Sequence, residues 1–250
     1  MNVAEGWRKP VLLAARQLGV EPALRRIQRA VMSGTERRDL RDIEHIRLLL
    51  RLSLPVDANC IDVGANVGDI LREIVAIAPE GRHIAYEPLP DLASRLTHEF
   101  PQVDVRNAAV GETSGEATFY RVMSAHSRSS LSQDDLDPSD VEQLRVRVEA
   151  LDHGLRDDYS PALVKIDVEG AERGVLLGAR RLLERYRPII VIEHGAAAND
   201  FHGTTTGDIH KLLSSFGYRI FDIDGNGPFT EAEFEQTTRR GKIWTFVAHA

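Results

Sequence analysis

Apolar residues recur along this chain in two periods. Val67, Ile70, Leu71, Ile74, Val75 and Ala78 fall on one face at helical spacing, and Pro79 ends the run. The same spacing predicts a helix over 39–54, with Ile43, Ile46, Leu49, Leu50 and Leu54 on one face. A further helix over 91–100 is closed by Pro101, and another over 208–216 is stopped by Gly217. Val175, Leu176, Ala179, Leu182, Leu183 and Tyr186 read as one continuous helix ending before Pro188. Between these helices lie short runs of strand length at 60–63, 83–87, 103–105, 163–166 and 189–194. The last of them is apolar throughout its first four residues, as a strand covered on both faces should be.

Two further stretches, 116–122 and 144–148, alternate residue by residue and read as half-exposed strands. The segment between them, 123–140, is rich in serine and aspartate and has no helical period. A long polar loop inside a compact domain is usually mobile or functional. Its polar groups His126, Ser129 and Ser130 are expected to reach a ligand.

Strands at 218–223 and 242–248 complete a set of seven. The charged stretch between them carries no credible helix, so a closing antiparallel hairpin is expected. The alternation predicts an α/β, doubly wound, mostly parallel seven-stranded Rossmann-like sheet over 53–250, with an antiparallel last strand. Residues 1–52 are expected as an N-terminal helical extension, with short amphipathic runs at 11–18 and 23–32.

Charge refines this picture. The net charge of −7 is uneven: residues 1–51 hold eleven Lys/Arg against six Asp/Glu, a balance of +5 that leaves −12 for the rest. An acidic main domain argues against a nucleic-acid partner, because phosphate contacts supply most non-specific affinity. The basic extension, with Arg25, Arg26 and Arg29, is read as a cover over the domain edge or a homodimer contact. The competing reading is peripheral contact with an acidic lipid surface. The single cysteine, Cys60, excludes an internal disulfide and sits in an apolar strand, where a packing role is expected. No apolar run approaches the roughly 20 residues of a membrane span, and the run at 11–15 is too short for a signal-peptide core. A cytoplasmic location is expected.

The candidate chemistry collects where strands end. After the strand at 60–63, Gly64, Ala65 and Gly68 remove side-chain bulk from a turn, and Asn66 tolerates a left-handed backbone. Strand, glycine loop and helix form the opening unit of a nucleotide-binding domain. Asp62 precedes the first glycine, and Asp69 enters the helix where a bound phosphate would meet its charge. This D-x-G-x-N-x-G pattern resembles motif I of S-adenosylmethionine (AdoMet) methyltransferases, whose ligand carries no phosphate. Glu87 ends the second strand, where a carboxylate accepts hydrogen bonds from both ribose hydroxyls. Asn107, after the third strand, is read either as an adenine contact or as a turn asparagine. Asp167 and Glu169 stand at the tip of the strand at 163–166, and two acids there need a cation to offset them.

In order along the chain stand I-D-V-G-A-N-V-G at 61–68, Y-E-P at 86–88, N-A-A-V-G at 107–111 and L-D at 151–152. K-I-D-V-E-G-A-E at 165–172 and I-E-H at 192–194 follow. Together they resemble the FkbM family of AdoMet-dependent methyltransferases over about residues 43–248. The resemblance implies O-methylation of a sugar, glycolipid or polyketide-type metabolite, with a small-molecule or lipid-linked hydroxyl acceptor and S-adenosylhomocysteine as product. It places AdoMet against Asp62, Gly64, Ala65, Asn66, Gly68, Glu87, Pro88, Asn107, Ala108 and Asp167, and puts Asp167 and Glu169 where cofactor meets acceptor. An alcohol needs a base or metal to take its proton. His194, at the end of the strand at 189–194, is the first candidate base because an unperturbed imidazole titrates near neutrality, with Asp167 and His126 behind it. A divalent metal held by Asp167 with Glu193 or His194 is the competing idea. The alternatives of other classes are a catalytically silent AdoMet-fold binding protein and an NAD-dependent enzyme.

Overall fold

The computed structural model describes residues 33–123, 129–131, 138–156, 158–195 and 205–250. The two short runs expected at 11–18 and 23–32, and His126, lie outside them. Packing divides the chain between Glu44 and His45. The boundary falls inside helix α1 (Gly34–Ser53), whose residues from His45 onward belong to the second unit. Ile46 and Leu50 are buried there with Leu54, Ala58, Cys60 and Ile74. Among the described residues no helix is long and apolar enough to cross a membrane.

The second unit is built on β1 (Asn59–Val63), β2 (Ile84–Tyr86), β3 (Asp104–Arg106), β7 (Pro161–Ile166), β8 (Ile189–Glu193), β9 (Arg219–Asp222) and β10 (Thr245–His249). They form one sheet in the order β3-β2-β1-β7-β8-β10-β9. The order reverses between β1 and β7, which pair in parallel with Asp62 beside Lys165 and Val63 beside Ile166. A crevice outside the strand tips at such a reversal is where doubly wound sheets bind ligands. Only β10 runs antiparallel, to both β8 and β9, as the pattern predicted. Helices α2 (Asp69–Ile77) and α3 (Pro90–Glu99) follow β1 and β2. Both sheet faces are covered: Ile61, Val63, Ile166, Ile190 and Ile192 enter one core, and Cys60, Leu163 and Val191 another. Each such aliphatic side chain contributes roughly 1.5–3 kcal/mol by leaving water.

The alternating strands β5 (Gly115–Val122) and β6 (Val141–Glu149) leave the main sheet. With β4 (Ala109–Val110), too short to show a pattern, they form a second sheet in the order β4-β6-β5. A short helix, α4 (Leu151–Gly154), leads from β6 toward β7.

Two helices also depart from the expected pattern. The helix after β7 is broken into α5 (Glu172–Leu177) and α6 (Arg180–Tyr186). At the break a Cβ on Gly178 would lie 2.1 Å from the Gly111 carbonyl oxygen, so a neighbouring loop occupies the continuing helix's space. Asp152 then caps α6 from outside, accepting from the Arg181 and Leu182 amides at 2.8 and 3.0 Å. The second departure is helix α8 (Glu231–Arg239), between β9 and β10 where no helix was expected. A capping box starts it: Thr230 Oγ1 accepts from the Glu233 amide, and the Glu233 carboxylate accepts from the Thr230 amide at 2.8 Å. Phe234 and Thr238 are its buried residues, too few to mark an apolar stripe. Helix α7 (Thr206–Ser215) lies close to the expected position and carries its own capping box.

Candidate active site

The turn after β1 is made by backbone geometry. Gly64, Asn66 and Gly68 have φ of 78°, 49° and 80°, the left-handed region open to glycine and tolerated by asparagine. The Gly64 and Ala65 amides both donate to the Tyr86 carbonyl at 3.0 Å, tying the turn to β2. A Cβ on Gly64 would stand 1.9 Å from the Asp167 carbonyl oxygen, so only glycine lets the two strand tips touch. Gly68 serves packing as well: a Cβ there would meet Leu96 at 2.7 Å and Phe100 at 3.0 Å. Cys60, on β1, is buried, and burial pushes its thiol up to about 12, which leaves it a packing group.

Glu87 ends β2 with its carboxylate turned inward and buried. One oxygen accepts from the Asn66 amide at 2.7 Å, the other from the Leu89 amide at 2.9 Å. Burial raises its pKa to about 7, against the two amides and the Lys165 charge, which favour the anion. Asn107 takes the turn role: its amide donates to the Glu87 and Pro88 carbonyls, both at 2.9 Å, and it stands outside the crevice wall.

The turn after β7 is made by side chains. Lys165, buried within the sheet, donates to the Gly64 carbonyl at 2.8 Å. Its ammonium also lies 3.2 Å from Asp167 Oδ2 and 3.3 Å from Asp62 Oδ1. Burial alone would lower the lysine, but Asp167, Asp62 and Glu193 together hold it above the ordinary lysine value. Asp62, fully enclosed, is pushed up by burial, and the Lys165 charge opposes that shift. Lys165 was not among the residues expected from sequence. Its signals were a lysine inside an otherwise apolar strand and its place at the head of K-I-D-V-E-G-A-E. Beyond Asp167, Glu169 takes a left-handed φ of 48° and Gly170 one of 99°. A non-glycine residue held there stores about 1–3 kcal/mol, and such strain gathers at functional positions.

His194, expected as the base, is enclosed instead. Its side chain has no solvent-exposed surface, and Nδ1 sits 3.3 Å from Glu172 Oε2. The ring stacks on Phe234 of α8 at 5.7 Å, and the other Glu172 oxygen accepts from the Gly170 amide at 2.7 Å. The histidine braces the acid turn through Glu172.

Two hollows open at this edge. The first is an open crevice of about 610 Å³, counting the solvent space at its mouth. Gly64, Asn66, Glu87, Pro88, Ala108, Asp167 and Glu169 line it, all expected from sequence. Asp62, Ala65 and Gly68 do not line it, because Asp62 faces Lys165 while Ala65 and Gly68 pack toward α3. Its apolar end, formed by Leu89, Leu92, Phe119 and Leu131, was not foreseen, since Phe119 and Leu131 arrive from the second sheet and its loop. Ser129 also lines it, its hydroxyl accepting from the Val122 amide at 3.0 Å, while Ser130 is bridged to Tyr120. Both serines are buried rather than offered to solvent.

The second hollow, about 710 Å³, is lined by Asp167, Glu169, Glu172, Glu193, His194, Gly195 and Trp244. Asp167 and Glu169 stand in both walls. Among the described residues no three His, Cys, Asp or Glu side chains converge as a metal-holding group.

The chain was then compared with known proteins. A 70-residue stretch is 39% identical to AMB antimetabolite synthetase AmbE of Pseudomonas aeruginosa, covering 26% of this chain and 3% of that protein. Among solved structures, methyltransferase FkbM from Methylobacillus flagellatus superposes with a TM-score of 0.48 at 18% identity. That match covers 78% of this chain and 44% of the other. The plantazolicin methyltransferase BpumL, solved with a triazolic desmethylPZN analog and SAH, gives 0.47 at 12% identity over 86% and 88%. The Methyltransferase FkbM domain matches residues 62–220, which run from inside β1 into β9 and take in both strand tips that build the crevice. On a match over more than half of its length, the chain belongs to the FkbM methyltransferase family.

Proposed function

We propose that this chain transfers a methyl group from AdoMet to a hydroxyl of a sugar, glycolipid or polyketide-type metabolite. The observation that carries the reading is the wall shared by the two hollows: Asp167 and Glu169 border both, as residues between a cofactor and its acceptor must. The donor set fits the cofactor. Carboxylates of Glu87, Asp167 and Glu169 line the crevice, which suits hydroxyl and cationic groups and opposes a diphosphate. The bound cofactor supplies an electrophilic methyl group on a sulfonium.

The chain's own residues supply the rest. Glu87 accepts the ribose hydroxyl hydrogens through oxygens already oriented by the Asn66 and Leu89 amides. Leu89, Leu92, Phe119 and Leu131 keep water from the opposite end of the crevice. Asp167, held by Lys165, faces the cationic end. Glu169, in the walls of both hollows, would take the acceptor's hydroxyl proton. Trp244 offers the acceptor an apolar wall in the second hollow. Orienting the acceptor hydroxyl between these walls would supply much of the acceleration.

The test is calorimetric titration with S-adenosylhomocysteine, followed by transfer from methyl-labelled AdoMet to a panel of sugar and polyketide alcohols. Binding and a new methoxy signal in the product are expected. Glu169→Gln should retain cofactor affinity and lose about a hundredfold or more in kcat. Binding of NAD without S-adenosylhomocysteine would overturn the cofactor, and label arriving on nitrogen or carbon would overturn the acceptor class.

A further inference from the structure

We infer that Lys165 is a positioning residue that aims Asp167 and the Gly64 carbonyl at one corner of the crevice. The inference rests on the methyl-transfer reading only for the identity of the ligand used to test it. The Lys165 ammonium donates to the Gly64 carbonyl at 2.8 Å and stands in ion-pair reach of two carboxylates, Asp167 Oδ2 at 3.2 Å and Asp62 Oδ1 at 3.3 Å. These come from the tips of two adjacent strands. A single side chain therefore ties the glycine turn to the acid turn.

The bland account is that Lys165 only neutralises Asp62. Asp62 and Lys165 are register partners on β1 and β7, both buried between packed layers. Replacing such a buried pair by two apolar side chains is often neutral or stabilising, so neutralisation alone gives the pair no reason to be there. The third contact supplies one. Asp167 lines both hollows and keeps 28% of its side chain exposed, so one oxygen is anchored by Lys165 while the carboxylate still faces the ligand space. Asp62 keeps the lysine charged, and the lysine fixes Asp167.

Two arms test this. In the apo protein, the 15N-ammonium resonance of Lys165 should be visible in slow exchange and should move in Asp167→Asn, a variant at a part-exposed position that leaves the core intact. An absent signal, or one that Asp167→Asn leaves in place, overturns the inference without reference to any ligand. In the second arm, S-adenosylhomocysteine affinity is measured for Lys165→Met, Asp167→Asn and the double variant. Each single change should weaken binding by about tenfold, and the double by about tenfold again from wild type rather than a hundredfold, because the residues act as one unit. Multiplying losses would overturn it, since a purely structural lysine weakens binding whatever stands at 167. Should Lys165→Met not fold, Asp62→Asn replaces it, with the same non-additivity expected. If wild type does not bind S-adenosylhomocysteine, the proposed function fails, and the ammonium resonance alone decides the role of Lys165.

Discussion

The turns after β1 and β7 sit side by side and are built on opposite principles. The first, from Gly64 to Gly68, is shaped by φ angles and two amides on the Tyr86 carbonyl. The second, from Asp167 to Glu172, is shaped by side chains from elsewhere: Lys165 beneath it and His194 behind it, itself stacked on Phe234 of α8. A backbone turn presents shape, and a side-chain turn presents charge. The difference teaches that the first turn should fail locally and abruptly, while the second should degrade as distant supports are removed.

The largest effect belongs to the backbone turn. Gly64→Ala forces a Cβ to within 1.9 Å of the Asp167 carbonyl at a positive φ, and should cost more than about 3 kcal/mol in urea denaturation. A loss under about 1 kcal/mol would break the comparison at its first term.

Glu87 joins the two turns' ligand space and gives a pH signature of nearly the same size. Its carboxyl is held at about 7 in the folded chain against an ordinary 4.5, chiefly by burial. The folded state keeps this proton in a window where the unfolded chain has lost it. The contribution to stability is therefore full below about 4.5 and lost as pH rises through about 7, by ~3 kcal/mol in all. Glu87→Gln removes that dependence, so its stability relative to wild type should rise by this amount from acid to about pH 8. Parallel stability curves would contradict the raised value.

The side-chain turn is tested through its supports. His194→Ala should lower stability by about 2 kcal/mol, by leaving Glu172 buried without its imidazole and emptying the space over Phe234. Its remaining transfer activity should keep the wild-type pH profile. A changed pH profile would return the histidine to the role of base. The smallest effect is expected at Thr230→Ala, which removes the cap of α8 for about 1 kcal/mol while S-adenosylhomocysteine affinity stays unchanged.

These regions also differ in how far they could be read in advance. Gly64, Asn66 and Glu87 announced themselves, because a positive φ calls for glycine or asparagine and a carboxylate closing an apolar strand has few reasons to be there. Lys165 did not, because a lysine in a strand says nothing of the carbonyl and carboxylate that the neighbouring strand brings to it. Asn107 and His194 stood in the expected places with their side chains turned to other work, on the carbonyls of Glu87 and Pro88 and on Glu172. Helix α8 escaped because its buried face shows Phe234 and Thr238 and no apolar period, although the Thr230–Glu233 capping box was legible.

What the amino-acid order determined alone was the alternation of strands and helices, the antiparallel last strand and the acids at the strand tips. These follow from periods of two and 3.6 residues and from local backbone preference, which act over a few neighbours. Only the folded chain decided which of those acids face a ligand, that Lys165 meets Gly64 across 101 residues, and that His194 is closed in against a helix forty residues downstream. Such meetings depend on how layers pack, and a buried charge takes whatever partner the packing brings within reach.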